Sequence, residues 1–126
     1  MHYSKVLLID DDEDYQELFL QAIREIAASL ECVALDNARS ALTLLENHTL
    51  TADVIFLDLN MPIMTGQQFL MELNRREELN QIPVIILSTS ANSDTIDQAK
   101  ALGAQIFITK PSSFKELKNI LHKILE

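Results

Sequence analysis

Short runs of uninterrupted apolar residues occur at 6–9, 54–57, 84–87 and 106–108, each rich in β-branched side chains. A strand with one face in water alternates apolar and polar residues. Continuous hydrophobicity means that both faces are covered, as in parallel strands held between helix layers. A fifth, weaker strand is expected over residues 31–35, and its polar ends suit a sheet edge.

The intervening segments change to a helical period. Tyr15, Leu18, Phe19, Ala22, Ile23 and Ile26 recur in steps of three and four and form one apolar stripe. Phe114, Leu117, Ile120, Leu121, Ile124 and Leu125 do the same near the end of the chain, where Ser113 followed by Glu116 predicts a capping box. Helices over 38–47, 66–75 and 94–102 complete the alternation, and Gly103 is expected as a left-handed cap. The order is βαβαβαβαβα. Right-handed crossovers then give a doubly wound, flavodoxin-like α/β fold with five parallel strands, expected in the order 2-1-3-4-5, and five helices.

At 126 residues the sequence has the length of one domain, expected over residues 1–126. With 48% apolar residues, two glycines and three prolines, it is neither a disordered nor a linker-rich chain. The net charge of −9 would repel a phosphate backbone, which argues against direct nucleic-acid binding. One cysteine, Cys32, leaves no internal disulfide and is read as a buried, inert thiol in a reducing compartment. No apolar run approaches the ~18 residues of a membrane span, and the amino terminus is unlike a signal peptide. Membrane insertion is not expected, and a cytoplasmic location is.

In an open parallel sheet, ligands bind beyond the carboxyl ends of the strands, near the point where strand order reverses. The first strand runs into Asp10 and Asp11, the third into Asp58, the fourth into Ser88, and the fifth into Thr109 and Lys110. Clustered carboxylates repel by roughly 4 kcal/mol per contacting pair at an effective dielectric of ~20, so they require cations or raised pKa values. Lys110 supplies one positive charge, and a hard divalent ion such as magnesium suits the rest while leaving coordination open to phosphate oxygens. A carboxylate can attack phosphorus, with the metal, Lys110 and Ser88 meeting the phosphoryl oxygens. The chemistry favours Asp58 as nucleophile and the vicinal Asp10 and Asp11 as metal ligands, without deciding between them.

The segments VLLIDDDEDY, DVIFLDLNMPIMTG, IPVIILSTS and GAQIFITKPSS resemble the receiver domain of two-component response regulators, and the resemblance runs over residues 5–125. It implies that Asp10 and Asp11 are the acidic metal pair, Asp58 the phosphoacceptor, Ser88 the switch hydroxyl and Lys110 the family lysine, followed by Pro111 in cis. It further implies that the Asn60 carbonyl joins a Mg2+ shell and that Asn60 and Ser90 influence hydrolysis of the phosphoaspartate. Phe107 takes the place of the aromatic rotamer switch. Met61, Pro62 and Gly66 match the loop after the nucleophile. Thr89 departs mildly from the pattern, where Ala or Gly is frequent, which bears on phosphodonor preference and phosphoryl lifetime.

Blander readings apply to several of these residues. Asp12, Glu13 and Asp14 suit the solvated start of a helix, whose dipole favours acids there. They also mimic a calcium loop, but Tyr15 stands in place of its glycine and Gln21 in place of its closing glutamate. His2, His48 and His122 lack metal-ligand spacing and are read as surface residues. Phe107 could be plain core, Lys110 a surface lysine and Ser88 a strand end bonded to backbone.

Competing functions fare worse. An aspartyl-phosphate phosphatase needs a second Asp two residues after its nucleophile, where this chain has Asn60. A flavin module needs a phosphate cradle where this chain has DDDED. A phosphorylation-independent interaction module would not need the complete set of site residues. What the resemblance implies is transfer from a sensor histidine kinase or phosphotransfer protein to Asp58, then hydrolysis, in the manner of stand-alone, chemotaxis-regulator-like receivers. The downstream target would be a protein, reached through a surface reshaped by Ser88 and Phe107, and homodimerisation on phosphorylation is possible in that scheme.

Overall fold

All five apolar segments are strands in the computed structural model, which describes residues 3–89 and 92–126. The order is β1 (Lys5–Ile9), α1 (Glu13–Ile26), β2 (Glu31–Leu35), α2 (Ala38–Glu46), β3 (Val54–Leu57), α3 (Gly66–Asn74), β4 (Val84–Ser88), α4 (Ser93–Ala101), β5 (Ile106–Thr109) and α5 (Phe114–Leu125). The strands pair in parallel in the order β2-β1-β3-β4-β5, so the reversal point lies between β1 and β3.

Alternation of side chains across the pleat explains the unbroken apolar runs. Val6 and Leu8 of β1, Val54 and Phe56 of β3, and Ile85 and Leu87 of β4 pack with Phe19 and Ile23 of α1 and Leu117, Leu121 and Leu125 of α5. Their neighbours Leu7, Ile9, Ile55, Leu57, Val84 and Ile86 face the other way, onto Leu42 and Leu45 of α2, Phe69, Leu70 and Leu73 of α3, and Ala99 of α4. Phe19 meets Phe56 edge to face at 5.1 Å, an arrangement worth about 1 kcal/mol beyond burial. The outer strands are less enclosed. β2 is half-exposed, as its polar ends implied, but β5 is also an edge, with Ile106 open to solvent despite its apolar run.

Each helix begins on a side chain that accepts from its first turn. Asp12 caps α1, Asn37 α2, Asn92 α4 and Ser113 α5, where the Ser113 hydroxyl accepts from Glu116 N. A complete capping box opens α3, between Thr65 and Gln68. Gly103 takes φ +102 after α4, as expected of a left-handed cap, and a side chain there would press on Asn74, which donates to Leu102 O.

At the amino-terminal rim of the sheet, Asp53 Oδ2 accepts from Ser4 N, Ser4 Oγ and Lys5 N, each at 2.8 Å. These bonds tie the start of β1 to the approach to β3 and hold the Asp53 carboxyl below its usual pKa, with the Ser4 backbone bond the largest cause. A depressed folded-state pKa adds stability that is present above the unfolded value of about 3.9 and lost as pH falls through the folded value. Urea unfolding of Asp53→Asn should therefore show a clear loss of stability at pH 7 that shrinks steadily below about pH 4. A gap independent of pH would mean that charge on Asp53 contributes nothing.

Candidate functional site

Strand register assembles the carboxyl-end rim. Ile9 pairs with Leu57, so Asp10 and Asp58 leave adjacent strands side by side, and Asp58 N donates to Ile9 O at 3.0 Å. Ser88 pairs with Thr109, and Lys110 N donates to Ser88 O at 2.8 Å, which turns the lysine back over the rim. Asp10, Asp58 and Ser88 are the buried polar residues among those described, whereas Asp11 is exposed.

The Lys110 side chain is itself 10% exposed and lies with Nζ 2.7 Å from Asp10 Oδ2 and 3.7 Å from Asp58 Oδ2. The closer contact is an ion pair without hydrogen-bond alignment, since the buried Asp10 Oδ2 has no hydrogen-bond partner among the described residues. Asp10 Oδ1 accepts from Asp12 N at 2.9 Å, and Asp58 Oδ1 from Asn60 N at 3.3 Å. Burial raises the Asp58 pKa. Lys110 opposes that shift, Asp10 and Asp11 add to it, and the Asn60 backbone bond opposes it.

One carboxylate oxygen from each of Asp10, Asp11 and Asp58 can lie within 4.8 Å of the others. Three carboxylates and one ammonium leave two negative charges, and the donors are all hard oxygens. This set suits a divalent cation.

The receiver-domain family model of response regulators matches residues 6–122. The chain belongs to the response regulator receiver family. Among receiver relatives it is 30% identical over 122 residues to the chemotaxis protein CheY of Pseudomonas aeruginosa, covering 97% of this chain and 96% of that one. Its fold is similar to the phosphorylated cyanobacterial phytochrome response regulator RcpA, with a TM-score of 0.88 and 29% identity over 98% of this chain and 91% of that one. The Mn(2+)-bound form of response regulator Rcp1 superposes with a TM-score of 0.86 at 25% identity, over 96% and 91% of the two chains. As a receiver, this chain is a phosphoacceptor switch in two-component signalling, and such domains interact with histidine kinases and downstream targets. Among the described residues no helix is long and apolar enough to cross a membrane.

The receiver rim brings Asp10, Asp11, Asp58 and Lys110 together, and Ser88 ends the strand beside them. Asn60 is exposed and contributes its backbone N–H to Asp58. Phe107 is half-buried against the core on the α2, α3 and α4 side, neither flush with it nor free in solvent. Thr89 is exposed, whereas Ser90 and His2 lie outside the described residues. His48 and His122 are exposed, and burial raises the half-buried Cys32 thiol to about 12, which keeps it protonated and inert. The Lys110–Pro111 peptide is trans, not cis as the resemblance implied. The trans form is the ground state of X-Pro bonds by about 0.5–1 kcal/mol.

Two site residues escape the sequence reading. Gln16 Nε2 donates to Asp10 O at 2.5 Å, and the Tyr15 ring lies 4.4 Å from Lys110 Nζ. The available signal was their distance from the acidic pair, since residues in the first turn of α1 must look back across the β1–α1 loop.

The loop after Asp58 is conformationally demanding. Ile63 has φ +71, which disfavours a β-branched residue, and its side chain is 77% exposed. Gly66 N donates to Leu59 O at 3.1 Å, and a Cβ at Gly66 would come within 2.7 Å of Leu59 Cα and 2.8 Å of Asp58 O. The start of α3 thus rests directly on the backbone that carries Asp58. Gly66→Ala should destabilise the protein by about 1–3 kcal/mol in urea unfolding and shift the Asp58 amide resonance. An unperturbed Asp58 amide would show that the contact relaxes elsewhere.

Proposed function

We propose that Asp58 accepts a phosphoryl group from a phosphohistidine of a sensor kinase or phosphotransfer protein, in a phosphorelay whose receiver domain spans residues 1–126. An Asp58 carboxylate oxygen forms the new P–O bond as the P–N bond breaks and its electron pair returns to the imidazole. Asp58 is nearly buried and in contact with an ammonium, so the reaction takes place away from bulk water with one positive charge beside the developing negative charge.

Asp10, Asp11 and Asp58, with the Asn60 carbonyl, would hold Mg2+, which when bound neutralises charge on the phosphoryl oxygens. Lys110 would serve the same oxygens with its ammonium, and the Ser88 hydroxyl would donate to one of them. Hydrolysis of the acyl phosphate resets the switch, with the residue types at Asn60, Thr89 and Ser90 affecting its lifetime.

In the phosphorylated state Ser88 turns toward the phosphoryl group and Phe107 moves further into the core. Half-burial against the core supports this assignment of Phe107, because a ring that is not yet fully enclosed can gain burial by turning inward. The output is contact with a protein target in the cytoplasm, with homodimerisation as one form it can take. Net charge −9 argues against direct nucleic-acid binding.

The observation that carries this reading is the Lys110 ammonium between two buried carboxylates, with a third carboxylate at the same rim. Incubation with acetyl phosphate and Mg2+ should add the mass of one phosphoryl group. Asp58→Asn should abolish that addition, and labelling of the variant at the wild-type rate would place the acceptor elsewhere. Lys110→Ala should keep the acceptor but slow labelling roughly a hundredfold, the usual scale for removing one preorganised charge-stabilising donor. An unchanged rate would remove Lys110 from the mechanism.

A further inference from the structure

Tyr15 falls in phase with the core stripe of α1, but its position is not explained by packing alone. Lys110 Nζ lies 4.4 Å from its ring centroid, within cation–π range. The ammonium is therefore held on one side by the Asp10 and Asp58 carboxylates and on another by an aromatic face.

The hydroxyl adds a second observation. It is buried and has no hydrogen-bond partner among the described residues. A buried donor without an acceptor opposes folding, and phenylalanine would fill the same space without that penalty. The Tyr15 pKa is strongly raised, by burial first and then by the charges of Asp10 and Asp58. The phenol is thus a protonated donor within the field of the acidic site.

We propose that Tyr15 is a further residue of the phosphoryl site, whose ring positions the Lys110 ammonium and whose unpaired hydroxyl donates to the phosphoryl group carried by Asp58. This rests on Asp58 being the acceptor. Phosphorylation brings added negative charge and new acceptor oxygens to the rim where the hydroxyl lacks a partner. Ring and hydroxyl have separable effects, because the ring acts through Lys110 before and after phosphorylation and the hydroxyl only after it.

Beryllium fluoride with Mg2+, a phosphoryl mimic, gives a readout independent of turnover. The chain has two tyrosines and no tryptophan, so Tyr3→Phe leaves Tyr15 as the sole emitter. In that variant, beryllium fluoride with Mg2+ should change tyrosine emission beyond the change caused by Mg2+ alone. By calorimetry, Tyr15→Phe should weaken beryllium fluoride binding roughly tenfold, the loss of one hydrogen bond to a charged group, while the unliganded variant is as stable as wild type or more so. Tyr15→Leu should weaken binding further and broaden the Lys110 ammonium resonance, and Phe should restore that resonance.

Equal affinity of wild type and Tyr15→Phe would overturn the role of the hydroxyl, as would a loss of stability in the unliganded Phe variant. An unaltered Lys110 resonance in Tyr15→Leu would overturn the role of the ring. If wild type itself fails to bind beryllium fluoride, the assignment of Asp58 fails first, whereas binding that is lost in Asp58→Asn but kept in Tyr15→Phe rejects the inference about Tyr15 alone.

Discussion

Confining negative charge at one end of the sheet is the constraint on which the rest of the molecule depends. Parallel pairing delivers Asp10 and Asp58 to adjacent positions, and the β1–α1 loop adds Asp11. Lys110 removes only part of the repulsion, so the raised Asp58 pKa, to which Asp10 and Asp11 contribute, remains as a sign of an incompletely neutralised site. A rim of this kind favours any process that brings positive charge to it. Metal binding does so directly, and phosphorylation becomes favourable only with that charge in place.

The two rims of the sheet divide stability from chemistry. At the amino-terminal rim, one oxygen of Asp53 satisfies three donors and fixes the chain where β1 begins. At the carboxyl rim, a buried carboxylate oxygen and a buried phenol lack hydrogen-bond partners among the described residues, and Ile63 holds an unfavourable backbone angle five residues after Asp58. Features that cost stability gather where a ligand can repay them. The two core layers between the rims, filled by alternate residues of the same strands, give the rigidity that lets such costs persist.

Much of this was legible in the sequence because the information is local. Continuous apolar runs identified β1, β3 and β4, since burial on both faces allows no polar alternation, and the acids and lysine that follow the strands marked the rim. What was not legible depends on distant contacts or on ambiguous phase. Asp53 reads as an ordinary loop acid until its partners 48 and 49 residues away are known. The run in β5 suggests two covered faces, and although the expected strand order already put β5 at an edge, the run itself gave no sign that helix cover there is incomplete. Periodicity assigned Tyr15 to the core stripe correctly but could not show that the same ring lies against Lys110.

Tyr15 also shows why helix phase and site geometry are not independent in this fold. The Asp12 side chain caps α1 by accepting from Asp14 N and Tyr15 N, while Asp12 N donates back to Asp10 Oδ1. One aspartate therefore fixes both the carboxylate of Asp10 and the first turn that presents Tyr15 to Lys110. The acids after β1 then have distinct physical tasks: Asp10 and Asp11 supply charge to the site, whereas Asp12 converts strand into helix at the angle the site requires. A change in the capping of α1 would be felt at the ammonium through the tyrosine ring, without any alteration in the carboxylates themselves.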